Sequence, residues 1–210
     1  LFGNPQLQGE EEQISDSSYA LPQKLGLIED KTIAESSGLA RCLSRRGAFW
    51  THNDSGGRPL LYLIDEHGKG LATLEVNAAD AVDWEDICSF RHQQKNWLLI
   101  GDVGDNSARR KKVRLLLIEE PSLDDGAHSR PLQIARTIEF NYEDGPHDCE
   151  ALAVDPSTGI AYLVSKDVSM YCAVYELPLF KGLTTTAGKI AQLELPIAVG
   201  MDISADGKRA

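Results

Sequence analysis

Asp83-Trp-Glu-Asp-Ile-Cys88, then Trp97-Leu-Leu-Ile-Gly-Asp102, then Val113-Arg-Leu-Leu-Leu-Ile-Glu119 is a unit of three short apolar runs whose first run opens on acids. The same unit occurs on either side. Upstream it reads Glu35-Ser-Ser-Gly-Leu-Ala40, Phe49-Trp-Thr-His-Asn-Asp54 and Leu60-Leu-Tyr-Leu-Ile-Asp65. Downstream it reads Asp148-Cys-Glu-Ala-Leu-Ala153, Ala161-Tyr-Leu-Val-Ser-Lys166 and Ala173-Val-Tyr-Glu-Leu177, and Met201-Asp-Ile-Ser204 opens a further copy. With Leu39, Ile87, Leu152 and Ile203 as register marks, the units recur at roughly 50–65 residues, the size of a propeller blade. Runs this short, bounded by Gly, Pro, Asp and Asn, read as strands, and helical periodicity is nearly absent. The segments 71–76, 132–142 and 190–195 supply a fourth strand to each unit.

Four antiparallel strands repeated about an axis make a β-propeller, an all-β fold. The expected organisation is a flexible arm over residues 1–20, poor in apolar pattern, and a partial propeller over 21–210. Its blades fall at about 31–76, 80–142 and 147–195, and a fourth begins near 199. The chain opens at Leu1 and stops beside a turn at Asp206-Gly207, so a trimmed piece of a longer chain is expected. Three blades and a stub do not close a ring; six blades are expected in the intact parent, within the usual four to eight. The segment 23–28 has the length of a strand that would complete a last blade.

Composition narrows the function. A net charge of −11 argues against nucleic acid and anionic membrane surfaces, and it suits a cationic partner or a bound metal. No apolar run approaches the roughly 18 residues of a membrane span. Cys42, Cys88, Cys149 and Cys172 lie far apart with no C-x-x-C pair, which excludes zinc-finger and thioredoxin spacing. Buried free thiols are expected, although an oxidising compartment would permit disulfides.

In a blade the first strand lines the channel and the second returns antiparallel beside it, so the start of one adjoins the end of the other. Both places are acidic here. First-strand starts carry Glu35, then Asp83, Glu85 and Asp86, then Asp148 and Glu150; second-strand ends carry Asn53 and Asp54, then Asp102, Asp105 and Asn106, then Lys166 and Asp167. Converging carboxylates repel unless a cation sits among them, and a hard ion taking six to eight oxygens, Ca²⁺ above all, would relieve that repulsion. The alternative is that Asp54, Asp105 and Asn106 only shape turns. Lys166 stands where the first two units have Asp, so it would neutralise the mouth without a metal. His52 and His147 flank the same end of their units, placed to serve as a base toward a metal-held water. The basic Arg109-Arg-Lys-Lys112 reads as a solvated loop, or as a clamp for an anionic substrate. No G-x-S-x-G elbow supports a serine triad.

The strings Phe49-Trp-Thr-His-Asn-Asp-Ser-Gly56, Asp83-Trp-Glu-Asp-Ile87, Ile100-Gly-Asp-Val-Gly-Asp-Asn106 and Asp148-Cys-Glu-Ala-Leu152 resemble a family of largely uncharacterised, exported bacterial propeller proteins. More remotely, the chain is similar to calcium-dependent six-bladed propellers: the gluconolactonase and regucalcin group, and the esterase-like phytases. The resemblance implies a secreted or periplasmic location. It also implies a Ca²⁺ site at the channel mouth around Glu35, Asn53, Glu85, Asp102 and Glu150. Two functions fit. One is a binding module that takes a small molecule or a protein at the mouth; the other is a metal-dependent hydrolase of esterase, lactonase or phosphatase type assisted by His52 or His147.

Overall fold

The computed structural model describes residues 21–77, 80–122, 131–182, 185–195 and 197–210; the expected arm over residues 1–20 lies outside them. Among the described residues every regular element is a strand. Among these residues no helix is long and apolar enough to cross a membrane.

The first unit folds as a four-stranded antiparallel meander of β1 (Ser36–Arg41), β2 (Ala48–Asn53), β3 (Leu60–Asp65) and β4 (Gly70–Glu75). The second runs β5 (Trp84–His92), β6 (Lys95–Asp102), β7 (Val113–Glu119) and β8 (Ile134–Tyr142). The third runs β9 (Cys149–Asp155), β10 (Ile160–Ser165), β11 (Tyr171–Pro178) and β12 (Thr186–Glu194). The fold is that of a β-propeller, and each of these four-stranded antiparallel units, called blades below, includes a fourth strand where the sequence pattern places one. Neighbouring blades meet at their outer corners through short parallel bridges, Val76 with Leu132, and Asn141 and Tyr142 with Thr186 and Ala187. The second link joins blades two and three into one eight-stranded sheet. Residues 21–30 form no strand and cross the turn between β3 and β4, where the Glu29 amide donates to the Gly68 carbonyl.

The burial pattern explains why the second unit reads as a continuous apolar run. Leu98, Ile100, Leu116 and Ile118 face the first blade and pack with Trp50, Leu61, Leu63 and Ala48. Their alternates Leu99, Leu115 and Leu117 face the third, against Leu152, Leu163, Tyr175 and Leu177. A sheet covered on both sides needs apolar residues at both parities. All four cysteines are buried free thiols.

The inner strands β1, β5 and β9 stand side by side around an open channel of about 710 Å³, lined also by Met201, Asp202 and Ile203. Residues 199–204 form no strand; Met201, Asp202, Ile203 and Ser204 lie along this channel where the sequence repeat starts its fourth copy. The inner strands share no ladder with one another; single side chains tie them. Ser37 Oγ donates to the Glu85 carbonyl, and the Leu152 amide donates to Asp86 Oδ2. Gly38 permits the approach of β1 to β5, because a Cβ there would lie 2.4 Å from the Ile87 nitrogen.

Glu120 fastens the first blade to the second. Its Oε1 accepts from the Leu43 amide at 2.8 Å and from Trp50 Nε1 at 3.0 Å, and the residue is only 7% exposed. Leaving a buried donor unpaired costs about 1–3 kcal/mol. Glu120→Ala is therefore expected to lower urea stability by about 2–4 kcal/mol. Truncating Glu119, whose pair with Lys95 is half exposed, should cost less than about 1 kcal/mol. Equal midpoints for the two variants would remove Glu120 from this role.

Candidate functional site: an acidic channel mouth

Each inner strand carries a register break at its start. The pairing of β1 with β2 shifts between Ser36 and Leu39. That of β5 with β6 shifts between Trp84 and Asp86, and that of β9 with β10 shifts opposite Cys149 to Ala151. The extra residues are Glu85 in the second blade and Glu150 in the third, with Ser37 and Gly38 in the first. A bulge re-aims the side chain it carries, and here it turns both glutamates toward one place.

There five carboxylates gather from three blades in two overlapping groups. Asp54, Asp83 and Glu85 bring one oxygen each within 4.8 Å of one another, and so do Glu85, Asp148 and Glu150. Glu85 belongs to both groups and is 6% exposed. Its carboxylate accepts no hydrogen bond among the described residues. Burial, and then Asp54, Glu150, Asp83 and Asp148 in that order, push its pKa up to about 8. Asp83 is raised for the same reasons, burial first and Asp54 next. Gly104 keeps this space open: a Cβ on it would come 2.1 Å from Glu85 Oε1 and 2.6 Å from Asp83 Oδ2. The donor set is all oxygen, which suits a hard cation.

Of the residues that the sequence singles out, Glu85 and Glu150 lie in this cluster, and the others stand apart from it. Glu35 is exposed and accepts the Asp54 amide at its carbonyl. Asn53 caps a turn, its Oδ1 accepting from the Glu35 amide and its Nδ2 donating to the Thr32 carbonyl. Asp102 is wholly buried between two arginines, with Arg110 Nη2 on Oδ1 and Arg114 Nε on Oδ2, both at 2.8 Å. Arg110 also donates to the Gly104 carbonyl at 2.7 Å, so this part of the basic stretch is structural. Asp54, Asp83 and Asp148 belong to the acidic positions of the sequence pattern but not to the calcium set that the resemblance implies. The signal for the last two is the repeated Asp-x-Glu of residues 83–85 and 148–150.

His52 is fully buried; its Nδ1 lies 2.9 Å from the Asn53 carbonyl oxygen and its ring meets Trp84 edge-on at 5.6 Å. Burial holds its pKa below the usual histidine range. His147 pairs through Nε2 with Asp144 Oδ1 at 2.8 Å. Asp144 also accepts from the Tyr175 hydroxyl at 2.8 Å and from Lys189 at 3.1 Å. Burial opposes ionisation of Asp144, but these three donors prevail and hold its pKa at about 2. Asp86 accepts from two backbone amides, yet burial still pushes it up to about 7.

No protein-family model matches the sequence, and no curated protein sequence matches it. Among solved structures the chain is similar to one titled "Structure of Dos1 propeller", with a TM-score of 0.45 and 12% identity over 82% of this chain. The match spans 40% of that chain.

An acid whose folded pKa lies above its unfolded value binds more protons when folded, so its contribution to stability falls as pH rises. For Glu85 the window runs from about 4.5 to about 8, and Asp86 acts in the same direction. In a chelator, chemical denaturation across that window should show wild-type stability dropping on the order of 1–2 kcal/mol after allowance for solvent at the mouth. Glu85→Gln should flatten much of the drop. A wild-type profile that rises with pH would contradict the geometry.

Proposed function

We propose that the chain is part of an exported propeller that works as a binding module and holds a divalent cation, most naturally Ca²⁺, among Asp54, Asp83, Glu85, Asp148 and Glu150 at the channel mouth. One observation carries this reading: Glu85 is buried at the centre of four other carboxylates with no hydrogen-bond donor of its own. A buried carboxylate without a partner is costly, and the bulge that brings Glu85 against Asp54 and Asp83 would be a liability without a cation. A hard cation coordinated by carboxylate oxygens relieves both problems. Coordination sites left to water would then be open to an oxygen-bearing ligand, a small molecule or a protein carboxylate. A weak site of this kind fills where calcium is abundant, which agrees with the exported location implied by the sequence resemblance. Six blades in the ring would match the calcium-dependent propellers that the sequence resembles.

The hydrolase reading gains less support. It needs a base at the cation, whereas His52 is enclosed beside Trp84 and His147 is engaged by Asp144.

Ligand that binds only the folded state stabilises it by mass action, by about 2.7 kcal/mol at 100 times its Kd. Calcium should therefore raise the Tm relative to a chelator. Glu85→Gln should remove most of the rise while leaving a cooperative transition. Gly104→Ala should do the same by displacing the carboxylates rather than deleting one. Identical melting of the wild type in calcium and in chelator would sink the proposal.

A further inference from the structure

The two carboxylate groups at the mouth share Glu85 but differ in what faces them. Lys166 follows β10 and sets its ammonium on Glu150 Oε1; the two side chains are only 30% and 13% exposed. Asp148 and Glu85 also act on that ammonium and help to keep it charged. The Glu85–Asp148–Glu150 group thus already has a cation, supplied by the chain itself. Asp54, Asp83 and Glu85 make no ion pair among the described residues. Arg110 affects Asp83 only at longer range, because its guanidinium is committed to Asp102 and the Gly104 carbonyl.

The two halves are built to one plan. The Asp54 amide donates to the Glu35 carbonyl at 2.9 Å, and the Lys166 amide donates to the Asp148 carbonyl at 2.9 Å. Asp54 and Lys166 therefore hold the same position in the first and third blades, with opposite charge. Where the blade offers Asp, the neighbouring group is wholly anionic; where it offers Lys, the group is neutralised in part. Glu85 is shared by both groups, is 6% exposed and accepts no hydrogen bond among the described residues; since the ammonium is seated on Glu150, the unsatisfied Glu85 carboxylate points to a ligand on the side of Asp54 and Asp83.

We infer that the mouth is a divided cation site: the Lys166 ammonium is a built-in counter-ion that fills the Glu85–Asp148–Glu150 half and confines exchangeable metal to the Asp54–Asp83–Glu85 half. This rests on the proposed cation site and adds what sets its capacity. Removing the ammonium opens the second half to metal, because three carboxylates then face one another with nothing cationic between them. Keeping a positive charge at 166 keeps the second half closed.

The test is calorimetric titration of Ca²⁺ into the chelator-treated chain, with Tb³⁺ luminescence excited through tryptophan as a second readout, since Trp84 lies between Asp83 and Glu85. Wild type is expected to take one ion, Lys166→Met two, and Lys166→Arg one. Lys166→Gln serves in place of the Met variant if circular dichroism shows that the latter is unfolded. Two ions in the neutral variants and one in the Arg variant support both the divided site and the proposed function. No ion in wild type but one in the neutral variants supports the counter-ion role of Lys166 and overturns the calcium-holding function. One ion of unchanged affinity in every variant overturns the divided site and leaves the function standing. No binding in any variant overturns both.

Discussion

The middle blade of this protein has two apolar faces that water cannot be allowed to reach, and its two neighbours cover one each. Leu98, Ile100, Leu116 and Ile118 lie on one side and Leu99, Leu115 and Leu117 on the other, all nearly inaccessible. Nothing in that sheet is stable with either face bare, since each fully buried aliphatic side chain contributes about 1.5–3 kcal/mol relative to exposure. Face-to-face stacking brings the inner strands side by side, and their starts then converge whatever residues they carry. The polar ties follow the same logic: Glu120, Ser37 and Asp86 each satisfy backbone or indole groups of a neighbouring blade.

Convergence alone would produce only a crowded acidic rim. The bulges at the start of β5 and β9 make it a candidate site, because each inserts a glutamate out of the strand's alternation, and the two glutamates meet. Two of the remaining acids are taken out of contention by the chain itself. Asp102 is neutralised by Arg110 and Arg114, and Asp86 is spent on the amides of Ile87 and Leu152. What is left over is a compact group with Glu85 at its centre, flanked by Lys166 on one side.

The fold was largely legible because it is written in local patterns. Short apolar runs between turn residues gave the strands, and the repeat of their order gave the blades, including the outer strands β4, β8 and β12. The site was legible only in part. That acids cluster at one end follows from strand direction, so Glu85 and Glu150 could be picked from their place in the unit. Asp102 looked equivalent by the same rule, but its partners arrive from the β6–β7 hairpin, and a row of basic residues does not reveal which of them folds back. The bulges were invisible because they depend on pairing between strands rather than on composition. His52 reads as a residue at a strand end beside polar neighbours, and only the stacked blades show that Trp84 closes over it.

The proposal is positional: a cation would sit at Glu85, on the side where Asp54 and Asp83 face it. Anomalous diffraction from crystals of the protein soaked in Tb³⁺ tests it most directly, because the ion takes calcium-type oxygen sites and scatters strongly. The account predicts an anomalous peak about 2.3–2.6 Å from a Glu85 carboxylate oxygen, with Asp54 and Asp83 completing the contact. A map with no peak among these carboxylates, or with its strongest peak on surface acids elsewhere, would contradict it.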